Sequence, residues 1–236
     1  TFTASTGVLT GTPTNSDVGS HAVVITATDP SGATATDSFT LVVSNANDAP
    51  TVSSTAITTA TEDAVYTYTL TGADADVGDT LTMSGTTVPS WLTFTASTGV
   101  LTGTPTNDNV GTTGNAVVLT ITDAAGESVT DSFTITVANT NDAPSFSSSP
   151  VLTAQEDDVY TYTAVGTDMD AGDTFTLGSS SVPSWLTFTA STGVLTGTPT
   201  NSDVGSHSVT LTVTDAAGAT GTQTFTITVS NANDAP

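Results

Sequence analysis

A fifteen-residue run from Trp91 to Pro105 (WLTFTASTGVLTGTP) returns unchanged from Trp185 to Pro199, and its Thr-Phe-Thr onward portion opens the chain at Thr1. The shared segment starts at residues 1, 93 and 187, at spacings of 92 and 94, and Asn-Asp-Ala-Pro falls at Asn47, Asn141 and Asn233, at spacings of 94 and 92. Solenoid repeats run to roughly 20 to 50 residues, so this longer period matches one small folded domain instead. The chain reads as a tandem array with units at 1–50, 51–144 and 145–236. Because Thr1 aligns with Thr93, unit 1–50 is expected to be the C-terminal half of a truncated repeat. The other two units are complete, as in a window cut from a longer array.

Charge narrows the chemistry. There is no Lys or Arg in 236 residues, against 23 Asp plus Glu, for a formal charge of −23. Such a polyanion is repelled by nucleic acid phosphates and by anionic membrane surfaces, so nucleic acid is excluded as a partner. No apolar run is long enough to enter a bilayer directly, and no secretory leader opens the segment. With no Cys there is neither a disulfide nor a thiolate. Clustered carboxylates that lack a cationic side chain are neutralised by a bound cation, and hard oxygen donors favour calcium or magnesium. Disorder, the usual fate of an acidic Thr-rich chain, is countered by 36% hydrophobic residues set in alternating runs.

That alternation has a period of two. Tyr66, Tyr68 and Leu70 alternate with Thr67, Thr69 and Thr71, and Val117, Leu119 and Ile121 with Val118, Thr120 and Thr122. Phe133, Ile135 and Val137 repeat the pattern, which is that of half-buried strands with hydroxyl-rich outer faces. About seven such strands in ~90 residues predict an all-β fold of tandem immunoglobulin-like antiparallel sandwiches. Trp91 and Trp185 could stack on sugar rings, but Leu92 and Phe94 continue the apolar pattern and favour a core Trp at one end of the sandwich. His21 and His207 occupy equivalent strand-edge positions that the middle unit fills with other residues, which argues against catalysis. The expectation is that the chain is not an enzyme.

Strand parity sorts the acidic residues. If seven strands alternate down and up, Asp74 and Asp76 follow the second strand and Asp123 follows the sixth, at one pole, while Glu62 and Asp108 fall at the other. The first expected cluster is Asp17, Asn45, Asn47, Asp48, Asp74, Asp76, Asp79 and Asp123. The second is Glu62, Asp108, Asn139, Asn141, Asp142, Asp168, Asp170, Asp173 and Asp215. Like charges held this close repel, and Ca2+, which accepts about 6 to 8 oxygens in flexible geometry, suits these loops better than octahedral Mg2+.

A Glu before the second strand, an Asp-x-Asp after it, an Asp after the sixth and an Asn-x-Asn-Asp-x-Pro linker together resemble cadherin repeats. The segment Pro-Ser-Trp-Leu-Thr-Phe through Gly-Thr-Pro, at Pro89 to Pro105 and Pro183 to Pro199, is similar to dystroglycan-type cadherin-like and Ig-like repeats of large bacterial surface proteins and adhesins. The resemblance implies calcium at each junction, stiffening a rod-like array. Two departures stand out: the family's Leu-Asp-Arg-Glu element is replaced by Thr-Asn-Ser-Asp at Thr14 to Asp17 and by Thr-Asn-Asp-Asn at Thr106 to Asn109. The expected function is a calcium-stiffened spacer or fibre segment of a secreted or cell-surface, bacterial adhesin-like protein. Its partners would be neighbouring repeats and other copies in a fibre. The alternatives are a carbohydrate-binding appendage of an exported enzyme and a self-assembling extracellular matrix filament subunit.

Overall fold

A computed structural model describes residues 1–233; the last three residues of the expected unit 145–236 lie outside the described residues. The chain is all-β, with two compact units, one of Thr1–Pro105 with Gly111–Val137 and the other of Thr106–Val110 with Ala138–Pro236. No helix among the described residues is long and apolar enough to cross a membrane.

In the first unit the alternating sequence becomes two facing sheets. Strand Val100–Gly103 lies between Tyr66–Thr69 and Leu92–Thr95, antiparallel to both. Ala116–Thr122 lies between Ser128–Thr134 and Thr82–Thr87, again antiparallel, with a bulge at Val118/Leu119. The odd-numbered or even-numbered side chains of each strand point one way, so Tyr66, Tyr68, Leu101, Leu119, Ile121 and Ile135 form one buried core. Burial of each contributes roughly 1.5–3 kcal/mol. Thr67, Thr69 and Thr136 face outward on the same strands.

The second unit repeats this plan. Val194–Gly197 lies between Tyr160–Thr163 and Leu186–Thr189. The long strands Gly205–Asp215 and Thr220–Ser230 pair with each other, and Phe175–Ser181 flanks the first. The pairing of Thr153–Gln155 departs from the antiparallel expectation, since it runs parallel to Thr220–Ser230. This short strand enters the sheet beside the last strand of its own sandwich, so its direction is set by where the chain arrives and not by a hairpin.

Two glycines explain why the fifteen-residue run is so uniform. Gly99 has φ +70 in the turn that closes with its N–H donating to the Thr95 carbonyl at 2.9 Å. A Cβ on Gly103 would lie 2.0 Å from the Trp91 carbonyl oxygen, so the Trp-Leu element can cross that strand only over a bare glycine. Trp91 then packs edge-on against Tyr66, ring centroids 5.8 Å apart, and its Nε1 donates to Asn115 Oδ1 at 2.8 Å. Trp185 packs the same way on Tyr160. Both indoles are half-buried and pack against the core, as the apolar pattern around them predicts.

The period-two pattern did not predict three single turns of 3-10 helix, Asn15–Asp17, Asn107–Asn109 and Asn201–Asp203. Each is closed by a capping box from the preceding Thr, and each is too short to leave a 3.6-residue signature.

Candidate metal centres

The loop after Tyr66–Thr69 builds the first acidic site by turn chemistry alone. Asp74 Oδ1 accepts the Asp76 N–H at 2.9 Å, the Asp79 N–H donates to the Asp76 carbonyl at 3.2 Å, and Gly78 supplies a φ of +89 between them. That curl turns Asp74 and Asp79 toward Asp123, which ends Ala116–Thr122. One carboxylate oxygen from each of the three lies within 4.8 Å of the others. The linker closes over this group: Asn47 Nδ2 donates to Asp123 Oδ2 at 2.9 Å, and the Asp48 N–H donates to Asp76 Oδ2 at 2.8 Å. Asn45 and Asn47 line an open recess with Asp76 and Asp79.

The second unit makes the same arrangement with its own residues. Asp168 Oδ1 accepts the Asp170 N–H at 3.0 Å, and oxygens of Asp168, Asp173 and Asp215 meet within 4.8 Å. Asn141 Nδ2 donates to Asp215 Oδ2 at 2.8 Å, Asn139 Nδ2 to Asp170 Oδ1 at 2.9 Å, and the Asp142 N–H to Asp170 Oδ2 at 2.8 Å.

These contacts leave the electrostatics unbalanced. Asp76 and Asp170 are each only 7% exposed. Asp74 Oδ2, Asp76 Oδ1 and Asp168 Oδ2 are buried with no hydrogen-bond partner. A buried carboxylate oxygen that faces other carboxylates and no donor is costly, and a chain with no Lys or Arg has no ammonium or guanidinium to set against it. The donors present are neutral amides. The Asn47 amide holds the Asp123 carboxyl below its ordinary 3.8, and the Asn141 amide does the same for Asp215, in each case against the opposing effect of burial. Both lowered values favour the charged form in the folded state. This stabilisation is therefore complete above pH 3.8 and lost as pH falls through the lowered values.

A cation fits this donor set: carboxylates and Asn carbonyl oxygens, all hard, gathered on loops that can adjust, with unsatisfied oxygens already buried.

Two expected positions behave differently. Asp17 accepts the Thr14 N–H at 2.8 Å and the Thr14 hydroxyl at 2.9 Å, capping its own turn, and these bonds hold its carboxyl below the ordinary value. The neighbour Asn15 is the residue that reaches the linker, donating to Asp48 Oδ2 at 2.7 Å. Likewise Asp108 is exposed, and Asn107 donates to Asp142 Oδ2 at 2.6 Å. Glu62 is buried within the first unit. Asn15 and Asn107 carry no charge and so stand outside the acidic pattern of the sequence. The available signal was a Thr-Asn step that recurs at Thr14, Thr106 and Thr200. Glu156, buried in the second unit and accepting the Ala232 N–H at 3.2 Å, is a further acidic group outside the expected set.

The two histidines serve the same turns. His21 Nε2 donates to the Asp17 carbonyl at 2.6 Å and His207 Nε2 to the Asp203 carbonyl at 2.5 Å. Neither approaches a nucleophile in these contacts.

Comparison with known proteins agrees with this architecture. Over 155 residues, 63% of the chain, the sequence is 33% identical to the serine-rich adhesin for platelets of Staphylococcus aureus. The chain spans only 6% of that relative's length. Among solved structures, the protocadherin fragment PcdhgB3 EC1–4 superposes with a TM-score of 0.62 at 17% identity, over 96% of this chain and 61% of that one, which shows a shared fold. An endo-fucoidan hydrolase from glycoside hydrolase family 107 is 27% identical over 94% of the chain and 35% of its own, but its TM-score of 0.38 is too low to support an inference. The family model described as Putative Ig domain matches residues 1–44, 49–138 and 143–230, nearly the whole sequence. With that coverage, and with cadherin-like sandwiches in both units, the chain belongs to the Putative Ig domain family.

Proposed function

We propose that the two acidic centres bind calcium and that the ions lock each Asn-x-Asn-Asp linker to the sandwich that follows it, making this segment a stiff spacer in an extracellular, adhesin-like surface protein. The unpartnered buried oxygens of Asp74, Asp76 and Asp168 carry the proposal, since a carboxylate cage with no cationic side chain in the whole chain calls for an external cation. In the first centre the ligands would be Asp74, Asp76, Asp79 and Asp123, with Asn45, Asn47 and Asp48 from the linker. In the second they would be Asp168, Asp170, Asp173 and Asp215, with Asn139, Asn141 and Asp142. Calcium would supply the positive charge that these residues lack. The protein's part is to hold the linker backbone where amides and carboxylates already meet it.

The array would consist of repeats bounded near 1–50, 51–144 and 145–236, in line with the three matched stretches. Its work is mechanical: an ion at a linker removes hinge freedom and leaves the sandwiches to present domains elsewhere in a longer surface protein. Surface placement is supported by the adhesin relative, and the extracellular modules that bind calcium do so at about 0.1–1 mM.

Calorimetric titration with calcium tests this directly. Two classes of site are expected in the ~0.1–1 mM range, lost one at a time in Asp76→Asn and Asp170→Asn. At calcium ~100-fold above the dissociation constant each site adds about 2.7 kcal/mol to the sandwich that holds it. Melting curves that coincide in chelator and in excess calcium would sink the proposal.

A further inference from the structure

The two acidic centres share a framework and part at one linker amide. In both, the first Asp of the loop keeps a buried oxygen without a donor, Asp74 Oδ2 and Asp168 Oδ2. The Asp that closes each site accepts a linker amide, Asn47 on Asp123 and Asn141 on Asp215. The linker Asp N–H donates to the middle Asp of the loop, Asp48 to Asp76 Oδ2 and Asp142 to Asp170 Oδ2, each at 2.8 Å. The other oxygen of that middle Asp is where the centres differ. Asp170 Oδ1 accepts Asn139 Nδ2 at 2.9 Å, whereas Asp76 Oδ1 is buried with no donor, although Asn45 lines the same recess. Asp76 and Asp170 are equally buried, at 7% exposure, so solvent access does not account for the difference.

An amide meets a cation through its carbonyl oxygen, and its N–H groups cannot serve. Asn139 has its Nδ2 turned to the carboxylate, so an ion entering the second centre must break the bond to Asp170 and rotate the amide until Oδ1 faces inward. A hydrogen bond to a charged group is worth roughly 10- to 100-fold in an equilibrium constant. The first centre carries the opposite bias. Asp76 Oδ1 gives up no hydrogen bond when an ion arrives, and an ion relieves the cost of its burial. Sequence alone does not announce this, because Asn45 and Asn139 open the same Asn-x-Asn-Asp motif.

We propose that the two centres fill in order as calcium rises, the one at linker 45–48 first and the one at linker 139–142 later, because Asn139 is an amide latch on Asp170. This rests on the calcium reading above and adds to it the order of filling and the residue that sets it. Over a window of calcium concentration one linker is locked while the other still hinges, so stiffening of the array is graded.

The test titrates the full chain with calcium and follows the backbone amides of Gly78 and Gly172, one in each acidic loop, as separate NMR reporters. Gly78 is expected to saturate at calcium ~10-fold lower than Gly172. In chelator, before any ion is added, the side-chain amide protons of Asn139 should exchange with solvent more slowly than those of Asn45. Asn45→Ala should weaken the first centre by ~10-fold, since only a donor oxygen is lost, whereas Asn139→Ala should leave the second within ~3-fold, since the latch goes with the oxygen. The latch is overturned, with the calcium reading intact, if both glycines saturate together, if Gly172 saturates first, or if the two alanine variants weaken their centres equally. If neither glycine responds at ~10 mM calcium, the calcium reading itself fails and the order of filling with it.

Discussion

Residues 1–43 and 93–137 carry nearly the same sequence and end in different states. Both make the same hairpin, with the Gly7 N–H donating to Thr3 and the Gly99 N–H to Thr95, each at 2.9 Å. Both follow it with a one-turn 3-10 helix capped from Thr14 or Thr106, and both send an Asn from that turn to a linker Asp. Yet the core side chains of one stretch are exposed and those of the other are sealed. Local sequence is sufficient for the turns, caps and strand pairing. Burial is a property of the partner strands, here Tyr66–Thr69 and Thr82–Thr87.

The largest expected consequence is an asymmetry between equivalent leucines. Leu101→Ala should cost ~2–5 kcal/mol by chemical denaturation, as a cavity forms where no solvent can enter. In the segment beginning at Thr1, Leu9→Ala should cost under ~0.5 kcal/mol because no partner strand covers the side chain there. Equal losses at the two positions would mean that the first stretch is covered in solution.

A second difference is that the tyrosines lie in residues 51–236 and not in residues 1–50. Burial pushes the Tyr66 and Tyr160 hydroxyls up to about 12, and burial with the Asp131 hydrogen bond does the same for Tyr68. A folded value raised above the ordinary 10.0 favours the neutral phenol. The resulting stabilisation is whole below pH 10 and lost as pH rises toward 12. Ultraviolet titration should show phenolate appearing late and together with loss of β structure. Tyrosines that ionise near 10 while the fold persists would contradict this packing.

The smallest effect separates the two repeats that carry a Trp. Trp91 donates to Asn115, whereas Trp185 Nε1 is buried without an acceptor, its ring set edge-on to His207 at 5.8 Å. His207→Asn should give Trp185 the acceptor that Trp91 has and raise the stability of that repeat by about 1 kcal/mol. The reverse exchange, Asn115→His, should lower it in the first unit. Thermal melts of both variants check the pair, and the idea fails if His207→Asn destabilises.

Much of the fold was legible in the chain because strands announce themselves by alternation and turns by their own chemistry. Tyr66, Tyr68 and Leu70 against their threonines fixed which side is core, and Asp-x-Asp-x-Gly-Asp fixed a curled loop. The acidic centres were legible through strand parity, which placed Asp74, Asp79 and Asp123 at one end, where the structure brings them within 4.8 Å. Parity assigns a residue to an end of the sandwich but not a direction to its side chain, so it does not tell that Asp17 caps Thr14 or that Asp108 is exposed. In a one-turn helix adjacent residues point about a third of a turn apart, so the carboxylate of Asp17 folds back on Thr14 while Asn15 reaches the linker.

Repetition, strand and turn positions and the absence of any cationic side chain are properties of the sequence by itself, since each depends only on residue type and near neighbours. Which carboxylate oxygens are left without a donor, and that Asn15 and Asn107 rather than Asp17 and Asp108 meet the linkers, were decided by tertiary structure. Those outcomes depend on groups brought together from ~30 to 75 residues apart, where only the packed sheets set the distance.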